Sequence, residues 1–147
     1  MIQIELAFPH EFTCEALDEL PASPAVYHFD THKKLTRDGL IVRVSPVVAK
    51  PWIGVFAFEQ DQPTSVNRIL SMPDPRQICV VSKGAGYVVN VENPHEWEEI
   101  DMRPIQAICI AVSDRLVVFA GDTDYWHMAK QVSHGARSAW HGMDSES

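Results

Sequence analysis

The 147-residue chain reads as a mainly β protein, an antiparallel sheet or small sandwich of repeated hairpins with one short N-terminal helix. Three observations predict this. Short runs rich in Val, Ile, Phe and Tyr recur along the chain, separated by clusters of Gly, Pro, Asp and Ser, which is the punctuation of strands and turns. Two segments, 77–91 and 105–120, each read as apolar run, polar turn, apolar run. Hydrophobic residues make up 46% and charged residues 22%, the balance of a chain that buries a core. One domain is expected over 1–143, with a frayed end at 144–147.

Taken in order, Ile2, Ile4, Leu6 and Phe8 alternate with Gln3, Glu5 and Ala7, the period of a half-buried strand that Pro9 ends. From Glu11 to Leu20, apolar Phe12, Ala16 and Leu20 recur every four residues among Glu11, Glu15, Asp18 and Glu19. That spacing predicts a short amphipathic helix closed by Pro21 and Pro24. At about ten residues it would depend on packing against a sheet. Strands are expected at Ala25–Phe29, Leu40–Val48, Trp52–Phe58 and Val66–Met72. Pro46 argues for an edge or a bulge in the second of these. Pro73-Asp74-Pro75 is a turn with preset φ.

Gln77–Ser82, a turn at Gly84-Ala85-Gly86 and Tyr87–Val91 form the clearest hairpin. Ile105–Val112, a turn at Ser113-Asp114-Arg115 and Leu116–Ala120 form a second. In its first strand Ile105, Ala107, Cys109 and Ala111 fall on one face and Ile108, Ile110 and Val112 on the other, which predicts a strand covered on both sides. The tail from Gly121 to Ser147 is rich in Ser, His and Gly and lacks strand alternation.

The two hairpins resemble each other. Pro75 and Pro104 lie 29 residues apart, as do Gln77 and Gln106, Val88 and Val117, Val89 and Val118, and Trp97 and Trp126. The Ile-Cys pairs at 78–79 and 108–109 lie 30 apart, as one extra residue produces. Such spacing is a signature of stacked supersecondary units. The stretch from Gln77 through Val91, with Glu96-Trp97-Glu98-Glu99-Ile100, resembles strands of a β-propeller blade. Four or more blades of about 40 residues exceed this length, so an open sheet or sandwich is expected rather than a closed propeller. More broadly, Trp52-Ile-Gly-Val-Phe-Ala-Phe through Val118-Phe-Ala resembles a group of small bacterial β-rich proteins. The resemblance covers about half the chain and implies a β-rich fold without implying an activity.

The net charge of −8, from 20 acidic and 12 basic side chains, argues against nucleic acid and anionic membrane surfaces as partners. No apolar run approaches the about 20 residues of a membrane span, and the first residues lack the basic flank of a signal peptide. Cys14, Cys79 and Cys109 are few and widely spaced, which suggests reduced thiols and a cytoplasmic location.

Chemistry has few places to sit. Asp122, Asp124 and His127 follow the apolar run Leu116–Ala120 and could hold a divalent cation through oxygen and nitrogen ligands. Asp122-Thr-Asp124 also resembles the nucleophile motif of haloacid-dehalogenase-type phosphatases. Here Trp126 departs from that motif, and the 23 residues after Asp124 cannot build the α/β domain it needs. Turns use Asp for the same local reasons without any metal. His127, His134 and His141 recur every seven residues, which on a helix spreads them over about 10 Å per step, too far to share one zinc ion. Cys79 and Cys109 lie in apolar runs, where thiols are usually inert packing. Gly84 and Gly86 lack the residues of a phosphate loop. His95, Glu96, Glu98 and Glu99 surround Trp97 in an acidic aromatic patch.

No cofactor is expected. The leading expectation is a non-catalytic module that binds a protein partner or forms a homo-oligomer, with Trp52, Trp97 and Trp126 as candidate binding anchors. The alternative is a small metal-dependent hydrolase using Asp122, Asp124 and His127 as metal ligands. A third is small-molecule binding between the 52–58 strand and the hairpins.

Overall fold

The computed structural model describes residues 2–22, 25–30, 39–58, 67–100, 105–121 and 126–130, of which 121 and 126–130 are described by backbone alone. Those residues form β1 (Gln3–Glu5), β2 (Phe12–Leu17), β3 (Val26–Phe29), β4 (Gly39–Pro46), β5 (Trp52–Ala57), β6 (Arg68–Ser71), β7 (Gln77–Ser82), β8 (Ala85–Asn90), β9 (Trp97–Glu99), β10 (Ile105–Ala111), β11 (Leu116–Gly121) and β12 (Trp126–Lys130). Three sheets result: sheet I in the order β2-β4-β5-β3, sheet II in the order β1-β6-β7-β8-β9, and sheet III in the order β10-β11-β12. Most neighbours are antiparallel, but β1 runs parallel to β6 and β3 parallel to β5.

The expected N-terminal helix is not there; the segment is strand β2, paired antiparallel with β4 from Phe12↔Pro46 to Leu17↔Ile41. The reason lies in the spacing itself. Phe12 and Ala16 are separated by four residues, which satisfies a helical stripe and a two-residue alternation equally well. Cys14 completes the alternation: Phe12 is buried and Cys14 and Ala16 partly so, while Thr13 and Glu15 are exposed. Six ladder pairs with β4 and an Arg43–Glu15 ion pair then decide for strand. Pro46 sits at the last residue of β4, so it ends an inner strand rather than marking an edge.

Sheet II is the middle layer. Ile69, Ile78, Val80, Tyr87 and Val89 face sheet I and pack against Phe12, Phe29, Val42, Val44 and Phe56. From the opposite face Leu70, Cys79, Val81 and Val88 pack against Ile105, Val117 and Phe119 of sheet III. Both faces of β7 are therefore apolar, and its Ile-Cys-Val-Val run follows directly from that position. Burying a side chain such as Ile78 or Phe56 stabilises the fold by about 1.5–3 kcal/mol. Two polar side chains buried between sheets I and II find carbonyl partners. Ser82 Oγ donates to the Phe56 carbonyl at 2.7 Å, and the Tyr87 hydroxyl donates to the Ala57 carbonyl at 2.9 Å.

The hairpin repeat is present in the pairing, with a period of 30 residues. Ile78↔Val89, Cys79↔Val88 and Val80↔Tyr87 recur as Ile108↔Phe119, Cys109↔Val118 and Ile110↔Val117. The third strand follows the same rule, since Val89↔Trp97 recurs as Phe119↔His127. The Ile-Cys matches lie on this register, as do Val88 and Val118. The identities 29 apart, Trp97 with Trp126 among them, are one residue out of step, and a one-residue shift exchanges the faces of a strand.

Two local departures accompany the repeat. The β7–β8 turn is centred on Lys83 and Gly84, both at positive φ (43° and 93°), one residue earlier than the sequence suggests. In β10 the register shifts between Ile105 and Ala107. That bulge puts Ile105 on the same side as Ile108 and Ile110, against sheet II, instead of with Cys109. β10 is thus an edge strand covered on one side, with Ala107 and Cys109 exposed. β12, Trp126–Lys130, falls in the tail where no strand is expected from alternation. Residues 144–147 lie outside the described residues.

Candidate functional site

Two features stand out from the packed layers: a cleft at one end of sheets I and II, and the outer face of sheet III.

The cleft has a volume of about 370 Å³ and is lined by Ala25 and Tyr27 of β3, the Ala49-Lys50-Pro51 approach to β5, Trp52, and Glu92 and Pro94 of the β8–β9 loop. That loop is held by its own amides. Asn90 N–H donates to the Glu96 carbonyl at 2.9 Å, and Glu92 N–H to Asn90 Oδ1 at 2.9 Å. Tyr27 is the aromatic wall, edge-on to Trp52 (centroids 5.8 Å apart, 82°) and to His95 (5.3 Å, 80°). Lys50 and Glu92 bring one charge of each sign. The cleft offers apolar contact and two opposite charges, the makings of a binding pocket for a small polar ligand. No serine, cysteine or histidine is among its lining residues.

The tryptophans expected as binding anchors have different surroundings. Trp52 is only 2% exposed, and its indole N–H donates to the Val91 carbonyl at 2.9 Å. Its polar handle is spent within the fold. Trp97 is 37% exposed, edge-on to Phe29 (5.4 Å, 89°) and tilted against Tyr87 (5.9 Å, 49°), so it closes the seam between β3 and β9 while keeping one side in solvent. Trp126 begins β12, opposite Ala120.

Of the expected metal ligands, His127 is in β12 with its backbone paired to Phe119. Asp122 and Asp124 lie outside the described residues, as do His134 and His141. Among the described residues no three His, Cys, Asp or Glu side chains converge as a metal site would require. The Glu96, Glu98 and Glu99 patch surrounds Trp97 on edge strand β9, where acidic side chains also discourage unwanted strand pairing.

The cysteines separate by burial. Cys79 is fully buried between sheets II and III, and desolvation pushes its thiol pKa up against a weaker pull from the Arg68 guanidinium. Burial pushes the Cys14 thiol up to about 11. Cys109 is exposed on sheet III. The sequence treats Cys79 and Cys109 alike, because both follow Ile in an apolar strand; the structure covers one and leaves the other open.

That difference marks the feature sequence reasoning missed. The outward residues of β10 and β11 are Ala107, Cys109, Ala111, Leu116, Val118 and Ala120, none of them charged and none fully buried. At the opposite end of the stack, on sheet I, the apolar Ile53 and Val55 are buried and the exposed positions carry Thr13, Glu15 and His28, with the Arg43–Glu15 ion pair. The 30-residue spacing of the Ile-Cys pairs was the available signal.

No family model, curated protein or solved structure matches the chain. No helix among the described residues is long and apolar enough to cross a membrane.

Proposed function

We propose that this chain is a non-catalytic β-rich module that binds a protein partner or copies of itself, and that sheet III carries the contact. What supports the reading is the contrast between the ends of the stack. Six uncharged residues of β10 and β11 stand partly or fully exposed at one end of a chain with net charge −8. At the other end the apolar Ile53 and Val55 are already buried and the exposed side chains are Thr13, Glu15 and His28. Contiguous apolar surface is costly to leave in water and commonly marks an interaction site. The chemistry elsewhere agrees: the described cysteines that packing has buried are protonated by desolvation, the opposite of an activated nucleophile.

The test is binding of an apolar-surface dye by the purified chain, beside a Val118→Glu variant. An open or reversibly covered face predicts either dye binding or self-association in the wild type, and loss of it in the variant. A wild type that neither associates nor binds dye sinks the proposal. The metal-dependent hydrolase reading on Asp122, Asp124 and His127 makes a different demand. It needs bound metal in the wild type that Asp122→Ala removes.

A further inference from the structure

Resting on that reading, we infer that the outer face of sheet III is covered by the same face of a second copy of the chain, in a two-fold arrangement.

The argument starts from the 30-residue register. Cys109, Ala111, Leu116 and Val118 occupy the positions that Cys79, Val81, Gly86 and Val88 occupy in sheet II. In sheet II that face is buried under another sheet: Cys79 and Val81 are fully covered and Val88 is 3% exposed, all against sheet III. The element that suits such a face is therefore a β-sheet, seated about 10 Å above it.

The sheet above sheet III cannot be a further repeat of the same contact. Sheet II makes room for its neighbour with Gly86, where a Cβ would stand 2.6 Å from Ile100 Cδ1 and 2.7 Å from Ile105 Cδ1. Sheet III has Leu116 at the equivalent position, so an Ile105-like side chain has no space there. Nor can the stack continue head to tail. On the outward face of sheet I the apolar Ile53 and Val55 are already buried, and what stays exposed among the described residues is Thr13, Glu15 and His28 beside Arg43; burying these against Leu116 and Val118 would strand charges.

The face is complementary to itself. Its β10 row is small, Ala107, Cys109 and Ala111, and forms a trough. Its β11 row carries the larger Leu116 and Val118 and forms a ridge. A two-fold axis parallel to the strands, lying between β10 and β11, turns one copy's ridge over the other's trough and returns the favour. Leu116 of each copy then sits over small side chains of the other. None of these β10 and β11 side chains is charged, whereas two chains of net charge −8 repel one another overall. Such an isologous contact closes at two copies.

The test combines the mass of the full chain in solution with alkylation of Cys109 by iodoacetamide, followed site by site after digestion. A dimer is expected in which Cys109 alkylation slows by about tenfold as protein rises from micromolar to hundreds of micromolar, in proportion to the associated fraction. Val118→Glu and, independently, Leu116→Glu are expected to give monomers whose Cys109 reacts at the fast rate at every concentration. Buried Cys79 is the internal control for folding and stays unreactive in all three proteins. A monomeric wild type with fast-reacting Cys109 overturns the second-copy inference but leaves the interaction-face proposal standing, for a different partner. A monomer whose Cys109 is protected at every concentration overturns both, because the chain then covers its own face.

Discussion

The indole N–H of Trp52 donates to the main-chain carbonyl of Val91 at 2.9 Å, across the boundary between sheets I and II. β5 thereby touches sheet II through polar groups at both ends, since its last carbonyls, of Phe56 and Ala57, accept from Ser82 and Tyr87. The first of these bonds fixes Trp52 in the cleft wall. Together they tie the aromatic-rich strand β5 into the packing between sheets I and II.

Trp52→Phe keeps most of the ring packing but leaves the Val91 carbonyl unpaired in the core. The expected cost is about 1–3 kcal/mol. Thermal unfolding reads it as a drop of about 2–4 °C per kcal/mol. An unchanged melting temperature shows that water reaches Val91, contrary to this packing.

Gly84 adopts φ 93° in the two-residue β7–β8 turn, a conformation that costs nothing without a Cβ. Gly84→Ala is expected to destabilise by about 1–2 kcal/mol through strain in the left-handed region. Denaturant unfolding checks this, with the midpoint falling at constant slope. A variant as stable as the wild type refutes the turn geometry.

Gly86 is required for a different reason, the close approach of Ile100 and Ile105. Gly86→Ala overfills the layer between sheets II and III and is expected to cost about 1–3 kcal/mol. The discriminating companion is Leu116→Ala at the equivalent, outward position. In a Val118→Glu background that change is expected to alter stability by less than about 1 kcal/mol. Equal losses at the two sites contradict the assigned faces.

Phe12 is buried on β2 against sheet II, whereas Glu15 on the opposite side pairs with Arg43 in solvent. Phe12→Ala should remove about 3–5 kcal/mol. Glu15→Ala should remove less than about 1 kcal/mol, as exposed ion pairs do. Hydrogen exchange then distinguishes strand from helix. Protection of alternate amides over 12–17, lost on cutting the pairing with β4, supports the strand.

The buried thiols set an alkaline limit. Cys14 and Cys79 hold their protons more tightly folded than unfolded, because burial penalises the thiolate. Stability is therefore full below the ordinary thiol value of 9.0 and is lost as pH rises from there towards about 11 for Cys14. Melting temperatures of the wild type and a Cys14→Ala, Cys79→Ala protein, followed from pH 7 upward, should fall with different slopes above pH 9.0. Parallel alkaline curves would mean that these thiols contribute nothing.

Much of the strand pattern is legible in the sequence, because alternation and turn residues are local signals. The β7–β8 hairpin is readable from Gln77 to Asn90, and the 25–29 and 52–58 strands are placed within a residue or two. The β2 helix fails because Phe12 and Ala16 fit both periods, and only the partner β4 breaks the tie. The site is less legible. Nothing in Ile-Cys-Val-Val and Ile-Cys-Ile-Ala says that Cys79 is covered and Cys109 is not. The cleft joins Tyr27, Trp52 and Glu92, which are distant in the chain.

What the sequence alone determined is the class of the fold and its approximate repeat, since hydrophobic periodicity and turn chemistry act between residues a few positions apart. The tertiary structure decided the true 30-residue register, the bulge that turns Ile105 inward, and the order of the layers. These depend on which face of each strand finds a partner sheet. A strand's two faces are written in the same residues, and only the packing of one sheet on another distinguishes the face that is buried from the face that remains to bind.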